Sequence, residues 1–213
     1  MPDPFATLIP DARAFLGELS AHNEKAWFTG QKPRYEADLK VPAQHLLDTL
    51  AADLNRHGKP AKTKLFRPHR DVRFSKDKTP YHQHLHMYWD LGATGLFFGV
   101  APGYVRIGGG VMGLAKTRLT NWRASVDGEA GDQIAAELDI LRLRGLIPEE
   151  PELKRVPSPY SASHPHSDLL RRKSMTVWQD VPQIRWDHPL DALHSAFATL
   201  FPLLTQLEEA TAA

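Results

Sequence analysis

The chain has 213 residues, of which 42% are hydrophobic, 9% aromatic and 24% charged, and it contains no cysteine. This apolar content excludes an intrinsically disordered chain, and the lack of cysteine excludes disulfide scaffolds, thiolate metal sites and cysteine nucleophiles. The 26 basic and 25 acidic residues give a net charge of +1, so the overall composition favours no charged partner.

The sequence predicts neither a membrane span nor a secretory signal. The uncharged stretch from Leu91 to Tyr104 is too short to cross a bilayer and is interrupted by glycine and proline. Asp3 and Asp11 lie where a signal peptide would carry basic residues. We therefore expect a cytoplasmic protein with a single domain over residues 1–213 and no membrane partner.

The first third of the chain is predicted to be helical. Apolar residues recur at helical spacing after Pro10 and again from Tyr35 to Asn55. Between these segments, Asn23 is expected to cap a short helix that carries Trp27 and Phe28.

The middle of the chain changes to the alternating pattern that is typical of strands. Four strands are predicted, over Asp71–Ser75, His82–Tyr88, Leu96–Val100 and Gly103–Ile107. In the first of them, Val72 and Phe74 are expected to face the core, and glycines 108–110 are expected to end the sheet. Short connections favour an antiparallel meander.

The last part of the chain returns to helices. Helical segments are predicted over 120–144, 167–172 and 190–207, with a proline-rich loop before the second of them and a strand over 174–179 before the third. The fold class is therefore α+β: a helical N-terminal third, a central antiparallel meander sheet, flanking helices and a C-terminal helix.

The net charge near zero conceals two strongly basic segments. Residues 59–86 carry eight basic side chains and two acidic ones, and residues 154–173 carry five and one, which gives local charges of +6 and +4. The rest of the chain has a charge of −9. Such concentrations of guanidinium and ammonium groups are typical of sites that bind phosphate or carboxylate groups.

The candidate site residues come mostly from these two segments. The candidates for anion binding are Arg67, Arg70, Arg73, Lys76, Lys78, Arg106 and Lys173. The candidates for catalysis are His84, His164, His166 and Asp71, because imidazole can transfer protons near neutral pH. Two structural alternatives stay open: surface ion pairs such as Arg73 with Asp71 and Lys76 or Lys78 with Asp77, and helix capping by His164 or Ser167.

Two motifs would indicate a cofactor, and neither interpretation is favoured. His82, His84 and His86 would lie on one face of a strand, which permits a metal site, but the surrounding cations oppose a divalent ion. The glycine spacing over 108–113 matches the dinucleotide-binding fingerprint without its strand–helix–strand context, so a glycine-rich turn is preferred. We therefore expect no cofactor and no metal.

The run from Phe66 to Tyr81, with the string Arg-Asp-x-Arg-Phe-Ser-x-Asp-Lys at 70–78, resembles the signature of the DUF2461 family of conserved hypothetical proteins. The segments 15–35, 108–110 and 164–170 are similar to other blocks of that family, so the resemblance covers nearly the whole chain. It implies no established activity. It does imply that the two basic segments are also the family's two most distinctive blocks.

Three functions are consistent with this pattern. The first is a cationic pocket, formed by the sheet face and the helix start at 164–173, that binds a phosphate- or carboxylate-bearing small molecule, with or without catalysis. The second is a nucleic-acid-binding module that uses the basic 59–86 segment with Tyr81, Tyr88 and Trp89 as stacking partners. The third is a protein-interaction domain without chemistry.

Overall fold

Three helices open the chain, as the apolar spacing predicts. The computed structural model, which describes residues 3–59 and 61–212, contains α1 (Leu8–Ala21), α2 (Lys25–Arg34) and α3 (Val41–Arg56). A π-helical stretch, Tyr35–Lys40, joins α2 to α3. Pro42 lies in the first turn of α3, where its missing N–H removes no bond within the helix.

Asn23 has a different position from the one predicted. Glu24, and not Asn23, is the residue next to the first residue of α2. The side-chain amide of Asn23 donates to the carbonyl oxygen of Tyr81 at 2.9 Å, and its Oδ1 accepts the N–H of Tyr81 at 3.1 Å. The residue predicted as a helix cap therefore holds a distant segment of backbone in place.

Six strands form an antiparallel sheet in the order β1-β2-β3-β4-β6-β5. They are β1 (Lys62–Leu65), β2 (Leu85–Asp90), β3 (Gly95–Ala101), β4 (Tyr104–Val111), β5 (Ile147–Pro148) and β6 (Met175–Asp180). β2 begins at Leu85 and not at His82 as predicted, but it alternates as expected, with Leu85, Met87 and Trp89 buried. β3 is buried on both faces. The predicted α+β class is confirmed.

Two predicted features of the sheet are wrong. Asp71–Ser75 forms a turn and not a strand, and the Phe74 side chain is 96% exposed instead of facing the core. The sheet edge is β1, which hydrophobic alternation does not reveal because its first three residues are all exposed. The glycines 108–110 lie within β4 and do not end the sheet.

The second half of the chain supplies four further helices. They are α4 (Lys116–Val126), α5 (Glu129–Leu143), α6 (Ser167–Leu170) and α7 (Pro189–Thr211). Among the described residues, no helix combines the length and the apolar character that crossing a membrane requires.

The chain forms two compact units. The first unit comprises the described parts of Met1–Trp89 with Phe97–Ile107 and Asp180–His194, and the second comprises Asp90–Leu96, Gly108–Gln179 and the described part of Ser195–Ala213. Each has a buried tryptophan that donates to a main-chain carbonyl: Trp89 to Leu47 in the first and Trp122 to Leu169 in the second. The single domain predicted over 1–213 stays a prediction.

Candidate functional site

The basic 59–86 segment lies in the first unit and contains a long loop, residues 67–80, which we call the basic loop. Its two ends are tied together by backbone hydrogen bonds, from Arg70 N–H to the Pro80 carbonyl at 2.8 Å and from His82 N–H to the Pro68 carbonyl at 2.7 Å. Beyond the loop, the Tyr81 ring is buried and stacks on Phe28 at 4.0 Å. The base of the loop is therefore fixed to the helices.

One end of the basic loop is braced by Arg70 and Asp77. Arg70 Nη1 contacts Asp77 Oδ2 at 2.6 Å and also donates to the carbonyl and hydroxyl oxygens of Thr79. Asp77 in turn accepts the N–H of Thr79 at 2.9 Å. The backbone N–H and hydroxyl of Thr79, followed by Arg70, lower the pKa of Asp77 to about 2, so Asp77 is a carboxylate at neutral pH.

The tip of the basic loop is braced in the same way. Arg73 forms an ion pair of 2.6 Å with Asp71, as the surface ion-pair interpretation predicts. The Lys78 ammonium donates to the carbonyl of Val72 at 3.0 Å. Hydrogen bonds from Arg73 lower the pKa of the Asp71 carboxyl, so this catalytic candidate is ionised and engaged at neutral pH.

The predicted anion-binding residues therefore divide into engaged and available groups. Arg70 and Arg73 are paired with carboxylates, Lys78 is bonded to main-chain oxygens, and Arg106 contacts Asp180 at 2.7 Å. Arg67 and Lys76 are exposed, and within the described residues neither side chain makes an ion pair or a hydrogen bond. The surplus positive charge of the loop is therefore concentrated on groups that face solvent.

Beside the loop, the side chains of His82, His84 and His86 form a histidine stack. The centroids of the His84 and His86 rings are 3.7 Å apart and the rings are nearly parallel, and His82 is 4.7 Å from His84. His86 Nε2 is 2.7 Å from the Tyr104 hydroxyl, and a Cβ at Gly99 would lie only 3.0 Å from the His86 ring. A glycine in β3 thus makes room for the inner end of the stack.

The histidine stack is uncharged at neutral pH. Burial, with a smaller effect of the neighbouring imidazoles, lowers the pKa of His84 and of His86 to about 4. Burial, followed by the charges of Arg70 and Arg67, also lowers the pKa of His82. The positive charge of this face therefore comes from guanidinium and ammonium groups, while the histidines provide neutral rings.

The metal alternative that the sequence analysis did not favour assigned His82, His84 and His86 as ligands. In the structure the His84 and His86 rings lie face to face, and the His82 ring is tilted by 33° to that of His84. Over residues 3–59 and 61–212, no group of three or more histidine, aspartate or glutamate side chains is arranged to hold a metal ion.

The second basic segment, 154–173, lies in the second unit, where His164 and His166 each pair with an aspartate. His164 Nε2 is 2.9 Å from Asp127, and His166 Nε2 is 2.9 Å from Asp132. Because His164 Nδ1 accepts the backbone N–H of His166, its proton is on Nε2 and points to Asp127. His164 thus accepts the N–H of His166, the residue before α6, and no side-chain hydrogen bond caps α6, so the predicted capping by His164 or Ser167 is wrong.

Lys173 has an acidic environment. A cavity of about 360 Å³ in the second unit is lined by Glu149, Glu150 and Glu152 together with Ser174 and Trp178. The backbone N–H of Lys173 donates to Glu152 at 2.8 Å. The Glu152 carboxylate beside the Lys173 backbone disfavours an anion there. Since the two basic segments belong to different units, the shared pocket predicted for them stays a prediction.

Three aromatic residues predicted as nucleic-acid stacking partners are not exposed. Tyr81 and Trp89 are buried, and Tyr88 stacks on Phe97 at 5.1 Å. The exposed rings of this segment are instead Phe66 and Phe74. The sequence analysis missed them because an alternating pattern assigns Phe74 to the core.

Taken together, the structure has an α+β fold with a braced basic loop beside a stack of imidazole rings. A family model described as a conserved hypothetical protein (DUF2461) matches residues 11–205. The chain therefore belongs to the DUF2461 family, as the resemblance of the 66–81 run implied. Comparisons with curated proteins and with solved structures found no match.

Proposed function

We propose that the first unit binds a phosphate or carboxylate group between Arg67 and the His82 end of the histidine stack. This proposal rests on the exposure of the Arg67 side chain and on its contacts within the described residues. Its guanidinium is exposed and makes no ion pair or hydrogen bond within the described residues. It is close enough to both Asp71 and His82 to lower the pKa of each.

The surroundings of Arg67 favour an anion from solvent over an internal partner. Asp71 is held by Arg73, and Asp77 is held by Arg70, so neither carboxylate forms an ion pair with Arg67. A guanidinium can bind phosphate or carboxylate through two parallel hydrogen bonds. The neutral imidazole of His82 adds one N–H donor without adding charge.

We propose binding rather than proton transfer at this site. A general acid or base works best when its pKa is near the working pH. The pKa of His84 is lowered to about 4, which is far from neutrality. Asp71, the other candidate for catalysis in this unit, is engaged by Arg73.

Isothermal titration calorimetry with inorganic phosphate and with citrate at low ionic strength tests this proposal. Arg67→Gln removes the guanidinium that we propose binds the anion. It should weaken binding by roughly 10- to 100-fold, the range for a charge-assisted hydrogen-bonded pair. Lys32→Gln is the matched control, because it removes one exposed positive charge from α2 in the same unit. Equal affinities for the two variants, or no binding to the unmodified protein, would contradict the proposal.

A further inference from the structure

We infer that the anion bound by the first unit is the backbone of a single-stranded nucleic acid, whose bases stack on Phe66 and Phe74. This inference rests on the proposed function, because the phosphates would bind at Arg67. It adds a partner class and two residues that the anion site alone does not require.

The distribution of exposed phenylalanines carries the inference. The chain has nine phenylalanines, all within the described residues. Only Phe66, at 39%, and Phe74, at 96%, are classed as exposed, and both lie in the +6 segment. Exposed aromatic rings interleaved with cations are the usual composition of a surface that binds single strands.

Each exposed ring is accompanied by a cation. The Lys64 ammonium lies 4.4 Å from the centre of the Phe66 ring, and the Arg73 guanidinium lies 5.9 Å from that of Phe74. A base stacked on Phe66 would therefore have its phosphate within reach of Lys64, whereas Arg73 is held by Asp71. The Phe66 ring also meets the His86 ring edge-on at 6.3 Å, so the aromatic surface is continuous with the histidine stack.

The basic loop holds Phe74 exposed without relying on a partner. The internal bonds of the loop use five of its charged side chains: Arg70, Asp71, Arg73, Asp77 and Lys78. These residues therefore hold the loop that carries Phe74 and do not bind the nucleic acid. Exposing a large apolar side chain to water in this way is unfavourable in free energy. Because the loop is already formed, it loses little conformational entropy when the nucleic acid binds, and this offsets the cost of exposing Phe74.

Charge and shape together favour a single strand over other anionic partners. An acidic peptide would satisfy Arg67 and Lys76 but would not in general offer flat rings to two separate phenylalanines. In a duplex the base faces are already stacked on each other, which leaves them inaccessible to Phe74. Single-stranded nucleic acid supplies both phosphates and free base faces.

Fluorescence anisotropy with labelled single strands of DNA and of RNA, each about 20 nucleotides long, tests the inference over a series of salt concentrations. Phe74→Ala and Phe66→Ala should each weaken binding by roughly 5- to 100-fold, the range for loss of one stacked base. The control is Ile184→Ala, because Ile184 is 86% exposed in the same unit but outside the basic segment. It should leave the affinity unchanged.

The salt series and a competition experiment separate this inference from the proposed function. Arg67→Gln should reduce the slope of log affinity against log salt by about 0.7, which corresponds to one phosphate on a single strand. If phosphate binding depends on Arg67 but Phe74→Ala behaves like Ile184→Ala, the nucleic-acid inference is wrong and the anion site remains. Displacement of the strand by polyglutamate as readily as by unlabelled strand would also overturn it.

Discussion

At the scale of single residues, Gly110 in β4 determines how closely β4 and β6 can approach each other. Its φ of +136° is one that L side chains rarely adopt, and a Cβ there would collide with the carbonyl oxygen of Met175 in β6. We expect Gly110→Ala to lower the free energy of unfolding by about 2–4 kcal/mol, because both the backbone and the strand spacing must change. Urea denaturation measures this loss.

Gly113 provides the matched control for Gly110. It also has a positive φ, +74°, but a Cβ added there would meet no described atom within 4 Å. Gly113→Ala should therefore cost only the backbone strain, about 1 kcal/mol. If both variants lose the same free energy of unfolding, the close approach of β4 to β6 makes no contribution to the loss at Gly110.

These glycines also show where the sequence was uninformative. A run of three glycines has no side chains and so no periodicity, and its composition alone predicts a turn. What keeps the run in β4 is the neighbouring strand, whose backbone at Met175 and ring at Trp178 occupy the space that side chains would need. Such a long-range steric requirement cannot be read from local sequence.

At the scale of elements, we expect the basic loop to depend on Asp77. Asp77→Ala removes the ion pair with Arg70 and the bonds from Thr79. Because the loop is on the surface, the midpoint of global urea unfolding should stay nearly unchanged. Amide hydrogen exchange at residues 71–79 should become at least about tenfold faster, since local opening no longer has to break these bonds.

A second exposed ion pair provides the control for this prediction. Asp139→Ala removes the 2.6 Å pair with Arg142 in α5 of the second unit and should leave exchange in the basic loop as it was. If amide exchange in the basic loop is as slow in Asp77→Ala as in the unmodified protein, the Asp77 carboxylate is not what holds the loop that exposes Phe74.

The elements with a buried face were predictable, and the loop was not. In β2 and β3 the core imposes alternation or full burial, so Leu85, Met87 and Trp89 reveal the strand. Over 71–75 the same alternation occurs by chance in a turn, where the bonds of Arg73 to Asp71 and of Lys78 to Val72 determine the backbone path. A five-residue pattern does not contain that information.

At the scale of the whole molecule, counting charges located the candidate site but overestimated how many of its charges are available. Of the eight basic residues in 59–86, Arg70 and Arg73 are paired with the two carboxylates of the segment. The histidines add no charge at neutral pH, because burial lowers the pKa of His84 and His86 to about 4. The net +6 already subtracts Asp71 and Asp77, so these pairs leave it unchanged. It is carried by the six basic residues outside the two pairs, which are Lys59, Lys62, Lys64, Arg67, Lys76 and Lys78.

The neutral histidine stack makes the stability of the protein depend on pH. In the unfolded chain His84 and His86 take up protons near their ordinary pKa of 6.5, whereas in the folded protein they do so only near 4. Stability from this source is therefore complete above about pH 6.5 and is lost as the pH falls towards 4. Between pH 7 and pH 5 we expect a loss of about 1 kcal/mol per histidine, since both rings keep partial contact with water.

Urea denaturation at pH 7, 6 and 5 tests this dependence with a double variant, His84→Gln and His86→Gln. Glutamine does not titrate, so the difference in unfolding free energy between pH 7 and pH 5 should be about 2 kcal/mol smaller than in the unmodified protein. His57→Gln is the control, because it makes the same replacement at an exposed position of the first unit outside the histidine stack. A double variant that loses as much stability as the unmodified protein would show that the stack takes up its protons in the folded state, and Arg67 would then stand beside a charged surface instead of a neutral one.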